Sequence, residues 1–268
     1  MKKTTIRKIL NDIKAAVRLG QPEAIQIALE GVFAIPQVAA NDQADAALLA
    51  QFILPAGEIL ARLPAAQLRP LLEHPTAALR AISASALARR YLLGKDVNPQ
   101  VLRVPAGDVR PDVRTALGAT LREAGEAAPE HLLPLMDHWL KAKSPRMRET
   151  ALNFIPALAA SHVDEVIAHL HPLSAEDDRA VRAALVDTLH ALAERGMAQA
   201  VLGLLTRWGN EPAPNIWVIT RSLSYAWATA YPQGVASLLR ALQSAPGSEK
   251  PIQQTLDALA RHGVQIEI

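Results

Sequence analysis

Four arginines, Arg80, Arg114, Arg148 and Arg182, stand at successive spacings of 34 residues, each following an aliphatic residue or methionine. If identical positions of successive repeats line up, these guanidinium groups form a basic row able to touch phosphates. The alternative is a structural ladder. In it each arginine lays its stem on the next repeat and pairs with a carbonyl or a nearby acid, with Asp108, Asp112, Glu149, Asp177 and Asp178 available in sequence.

A second concentration is Trp217, Arg221, Tyr225 and Trp227. On one helix, positions 217, 221 and 225 share a stripe, with a possible cation–π contact between arginine and ring. Aromatic side chains with arginine are the residue types that anchor protein interfaces, so these four are the candidate partner-binding residues. Arg221 also breaks a pattern. The equivalent positions of other copies hold Ala84, Gly118, Leu152 and Val186.

Other chemistry finds little support. His162, His169 and His171 lie near Asp164 and Glu165, but no HExxH pattern is present, and no metal ligand is assigned. There is no glycine-rich phosphate loop, and no Ser-His-acid set stands out among eight histidines. The absence of cysteine excludes disulfides, thiolate metal sites and cysteine nucleophiles. No catalytic residue and no cofactor is expected.

The elements that position these residues are helices. Half of the chain is hydrophobic, only 4% is aromatic, and the excess is alanine and leucine, which are good helix formers. From the aliphatic residue before each arginine, apolar or small residues return four, five, seven and eight positions later, as in Leu117, Gly118, Thr120 and Leu121. That is one apolar stripe of an amphipathic helix. A fifth copy follows after 35 residues, with Trp217 where arginine would stand. Between these helices lie second apolar segments, 129–140, 163–173, 197–208 and 232–242. Proline opens two of them, where its missing N–H costs nothing.

The spacing therefore predicts helix, turn, helix units that bury their apolar faces by stacking. Upstream of residue 70 the period blurs, with helices expected at 3–19, 22–39, 42–53 and 55–72, and Ile252 to Arg261 reads as the last helix. The fold expected is an all-α, right-handed α-α superhelix of about seven helix pairs in one domain, 1–268. Within it, 1–73 and 230–268 are caps around regular repeats at 74–229.

Val113-Arg114-Thr115-Ala116-Leu117-Gly118 and Val181-Arg182-Ala183-Ala184-Leu185-Val186 resemble the second helix of HEAT-like repeats of the ARM-type fold. That pattern carries its arginine whatever the ligand, which favours the structural ladder. The resemblance implies a fold and leaves function open, because the superfamily holds scaffolds, transport receptors, lyase-type proteins and alkylpurine DNA glycosylases. Asp112 to Glu123 is weakly similar to a helix of those DNA alkylation repair enzymes. Their tryptophan after the glycine is replaced by Ala119, and Asp45, roughly in the place of their catalytic acid, is flanked by Ala44 and Ala46 instead of aromatics.

Charge points the same way. With 28 basic and 26 acidic residues the net charge is +2, and only the N-terminal stretch, Lys2, Lys3, Arg7, Lys8, Lys14 and Arg18, is densely basic. Positions expected to face outward along one side, among them Ala81, Ser85, Ala88, Thr115, Asp187, Ser222 and Tyr225, are small, neutral or mixed. Nucleic acid binders concentrate Lys and Arg on such a row.

The expectation is a cytoplasmic, non-enzymatic scaffold that binds a protein or peptide along its concave side, with no membrane span. The alternative is a DNA-binding relative of the alkylation-repair proteins using Arg80, Arg114 and Arg148. A lyase-like or chaperone-like partner of a cofactor protein is a third, weaker possibility.

Overall fold

The computed structural model describes residues 3–268, and among them every regular element is a helix. Lys2 of the basic stretch lies outside the described residues. The chain divides into two compact units, one running to Phe154 and the other from Ile155 to Ile268. The division falls inside the stretch where the sequence period is most regular.

The first unit contains α1 (Lys3–Leu19), α2 (Pro22–Glu30), α3 (Leu54–Leu60), α4 (Ala77–Leu92), α5 (Pro99–Ala106), α6 (Pro111–Gly125), α7 (Pro129–Leu140) and α8 (Pro145–Phe154). α1 is amphipathic, with Ile6, Ile9, Ile13 and Ala16 buried at steps of three and four while Arg7, Lys8, Lys14 and Arg18 face water. The helix expected over 22–39 is broken. Residues 31–34 tighten into a 3-10 turn, and Ile35 is extended, at ψ 115°, because the residue before a proline avoids helical geometry.

α4 is the centre of this unit, packed between α3 and α6. Only Arg80 and Arg89 of its residues escape full burial, so it is apolar or small on every side. The outward positions expected at Ala81, Ser85 and Ala88 are therefore corrected: all three are buried. The reason lies upstream. α3 crosses that side so closely that a Cβ on Gly57 would stand 2.4 Å from Ser85 Oγ and 2.6 Å from Ser85 Cβ. Buried hydroxyls are satisfied locally, with Ser83 donating to the Leu68 carbonyl and Ser85 sharing a 2.7 Å hydrogen bond with Thr120.

The second unit contains α9 (Val163–Leu170), α10 (Arg179–Leu192), α11 (Ala198–Gly209), α12 (Ile216–Leu223), α13 (Pro232–Leu242) and α14 (Glu249–Arg261). α10, α12 and α14 pack in succession, and α9, α11 and α13 form a second row. Asp178 and Asn215 accept backbone N–H groups at the starts of α10 and α12, satisfying donors that a helix leaves open. The turn between α10 and α11 needs Gly196, whose φ of +91° is left-handed. Trp208 is fully buried and donates its indole N–H to the His171 carbonyl at 3.0 Å. Of the row expected to face outward, Ser222 is buried here too, since α12 is sandwiched between α10 and α14.

Candidate functional site

The repeated arginines show a shared local geometry. Each of the first three folds back over the turn that leads into its own helix, and Nη1 donates to the carbonyls six and five residues upstream. For Arg80 these are His74 and Pro75, at 2.8 and 3.1 Å. For Arg114 they are Asp108 and Val109, at 2.8 and 3.3 Å, and for Arg148 they are Ala142 and Lys143, at 2.9 and 3.2 Å. A guanidinium offers five donors and no acceptor, so it suits a turn crowded with orphan carbonyls.

Arg80 and Arg114 spend further donors on acids. Arg80 forms a bidentate pair with Asp108 at 2.8 and 3.2 Å. Buried Arg114 pairs with Glu149 at 2.8 Å. Both side chains are thereby committed to carbonyls and carboxylates, which leaves them little to offer a phosphate. Arg182 differs: its guanidinium lies over the Trp217 ring, 5.7 Å from the centroid.

The aromatic cluster does not form a single stripe. α12 ends at Leu223, where Ser224 turns its hydroxyl back to the Thr220 carbonyl at 2.8 Å. Tyr225 is already extended, at φ −90° and ψ 157°, so it leaves the helix face of Trp217 and Arg221. It stacks on His190 instead, with ring centroids 4.0 Å apart and planes 12° from parallel. Trp227 is buried, and its indole nitrogen has no hydrogen-bond partner. Of the four candidates, Trp217 and Arg221 are thus the pair presented to solvent, with Trp217 44% exposed.

These two line one wall of an open groove of about 330 Å³, together with Thr220 and Ser224. The facing wall comes from α14 and carries Gln254, Thr255, Asp257 and Arg261. The walls meet where Thr255 donates its hydroxyl to the Thr220 carbonyl at 3.0 Å. Arg261 was not singled out by sequence. Its signal is that it lies on the α14 face three and seven residues beyond Ala258 and Gln254, opposite a helix that carries Arg221.

A larger, mostly apolar hollow of about 440 Å³ lies in the first unit, walled by Leu29, Phe33, Leu60 and Leu71. It has fewer polar groups to orient a ligand, so the groove of α12 and α14 is the stronger candidate.

The remaining candidates have structural partners. The Asp45 carboxylate caps a helical turn by accepting the Leu48 N–H at 2.7 Å, and it accepts a second bond from Gln37. These bonds, the backbone one foremost, hold its pKa below the usual carboxylate value. Asp112 is buried, accepts the Ala44 N–H at 3.2 Å and stands 3.4 Å from Arg110. His162 meets the Ser161 hydroxyl, and His169 meets the Glu165 carbonyl. Among the described residues no group of three His, Cys, Asp or Glu is placed to hold a metal ion. Nor is any described helix long and apolar enough to cross a membrane.

No family model matches the chain, and no curated protein does. Among solved structures, three described as engineered proteins from the Northeast Structural Genomics Consortium are similar to it at a low level. One is 14% identical, covering 74% of this chain and 98% of its own with a TM-score of 0.35. A second is 13% identical over 98% of this chain and 99% of its own, at 0.38. A third is 16% identical over 89% of this chain and 70% of its own, at 0.37. The all-helical architecture described above therefore stands on the chain's own packing and hydrogen bonds.

Proposed function

We propose that the chain is a HEAT-like α-solenoid of about seven helix pairs that works as a non-enzymatic scaffold and holds a protein partner, with the groove of α12 and α14 as the anchor. The observation that carries this reading is the pairing of a half-exposed Trp217 with an exposed Arg221 on one helix face. Tryptophan and arginine at the edge of a concave, partly desolvated groove are the side chains from which interfaces draw most of their binding energy. The arginine positions that a DNA-binding reading needs are engaged elsewhere, Arg80 with Asp108 and Arg114 with Glu149.

A photo-reactive residue at Gln254 in the full chain tests the reading in the native cell. The expected result is a specific protein adduct that disappears in the Trp217→Ala variant. An adduct pattern unchanged by Trp217→Ala overturns it. The nucleic-acid reading keeps one supporting feature, the exposed Arg7, Lys8, Lys14 and Arg18 on α1. Duplex binding that falls steeply with salt, and that Arg7→Glu with Arg18→Glu abolishes, replaces the scaffold reading.

A further inference from the structure

We infer that the α12–α14 groove reads an acidic peptide segment, one whose Asp or Glu side chain is clamped between Arg221 and Arg261 while a neighbouring side chain lies on Trp217. The inference rests on the proposal that this groove is the partner anchor, and it adds the chemistry of the partner.

Arg221 and Arg261 stand on the two facing walls, both exposed, and neither forms an ion pair among the described residues. The groove contains one acid, Asp257, and that carboxylate is already engaged by the Gln253 amide at 2.8 Å. Arg182, over the Trp217 ring, adds a third positive charge beside the groove. Three guanidinium groups against one engaged carboxylate leave the site complementary to an anion. Arginine binds carboxylates through paired, charge-assisted hydrogen bonds.

The floor separates a peptide from a free phosphate. Thr220 donates its hydroxyl to the Ile216 carbonyl, Ser224 to the Thr220 carbonyl, and Thr255 shares its single proton between the Thr220 and Pro251 carbonyls. With these protons spent on carbonyls, the hydroxyls at the base of the groove leave no donor for an anion, and Thr220 and Thr255 are themselves buried. A free phosphate would therefore meet donors on the arginine walls alone, whereas an acidic side chain needs no more than those guanidinium groups to fill its two carboxylate oxygens. The Trp217 indole adds a flat apolar surface, fixed by Arg182, for the residue next to the acid.

The test uses the full chain and a displayed library of random short peptides. Peptides are selected on the protein and counter-selected on the Arg221→Glu/Arg261→Glu variant, whose substitutions lie at exposed positions and whose fold is checked by circular dichroism. The expected result is enrichment of Asp and Glu next to an apolar or aromatic residue. A synthetic peptide of the enriched sequence should bind the variant at least about tenfold more weakly, equivalent to ~1.4 kcal/mol. Its Asp→Lys counterpart should prefer the variant. Enrichment of neutral or basic peptides, or no enrichment over the counter-selection, overturns the inference. So does inorganic phosphate or duplex DNA competing for the groove as well as the peptide does.

The photo-crosslink at Gln254 separates this failure from that of the scaffold proposal. If its Trp217-dependent adduct persists while acidic peptides fail, the anchor stands and the acidic chemistry falls. If both are lost, the anchor falls with it.

Discussion

Arginine does two different jobs in the two units. In the first unit Arg80, Arg90 and Arg114 are buried or nearly so and each is bonded both to backbone carbonyls and to a carboxylate. In the second, Arg221 and Arg261 reach into an open groove without an acidic partner, and Arg182 lies on an indole. The residue type is the same, and the difference is in what surrounds it. A guanidinium closed in by carbonyls and acids fixes the joint between helices, whereas one left in a groove keeps its charge for something outside the chain. The comparison predicts that the first set governs stability and the second governs binding.

The largest effect is expected at Arg114. Arg114→Ala strands the partly buried Glu149 carboxylate and frees the Asp108 and Val109 carbonyls, so it should lower unfolding stability by about 3 kcal/mol. Urea unfolding of the variant measures this, and a loss no larger than that of an exposed control such as Arg122→Ala breaks the comparison. Next is Gly57→Val, which drives side-chain atoms into Ser85 on the adjoining helix and should cost about 2 kcal/mol by overpacking. A double variant with Ser85→Gly should recover part of that loss.

Arg182→Ala should cost only about 1 kcal/mol, the scale of a cation–π contact at a partly exposed site, and should loosen the Trp217 ring. Arg221→Glu should leave unfolding within about 0.5 kcal/mol of the parent, as for substitutions at exposed positions, while abolishing partner capture. Equal losses of stability at Arg114 and Arg221 erase the distinction between the units.

The smallest effect is a pH dependence. Asp96 accepts the Ala65 N–H at 3.0 Å and also holds Arg90, and the backbone bond foremost with the arginine pulls its pKa below the ordinary 3.8. A carboxylate whose folded value is lowered contributes stability above its unfolded value, and that contribution is lost as pH falls through the folded one. Asp96→Asn should therefore make the thermal midpoint less sensitive to acid below about pH 4. An unchanged acid slope removes Asp96 from the Arg90 joint.

The sequence was most informative where structure is local. α1 spans 3–19, α7 spans 129–140 and α13 spans 232–242, as the apolar spacing and the opening prolines require. The arginine spacing also led to the turns that those side chains close. What was not legible depends on neighbours distant in sequence. Ala81, Ser85 and Ala88 look like an outward row until α3 crosses them. Tyr225 looks like the continuation of a helix stripe until Ser224 bends its hydroxyl onto Thr220 and the helix stops. Arg261, one of many surface arginines by sequence, gains meaning only from facing Arg221 across the groove.

The unequal burial of the tryptophans has an optical consequence. Of the four indoles, Trp139, Trp208 and Trp227 are shielded, and Trp217 alone borders open solvent. A small quencher added to the intact protein should therefore extinguish mainly the red-shifted, water-facing part of the emission. That fraction would recover as the groove fills, so the chain carries a built-in gauge of its own occupancy that needs no label.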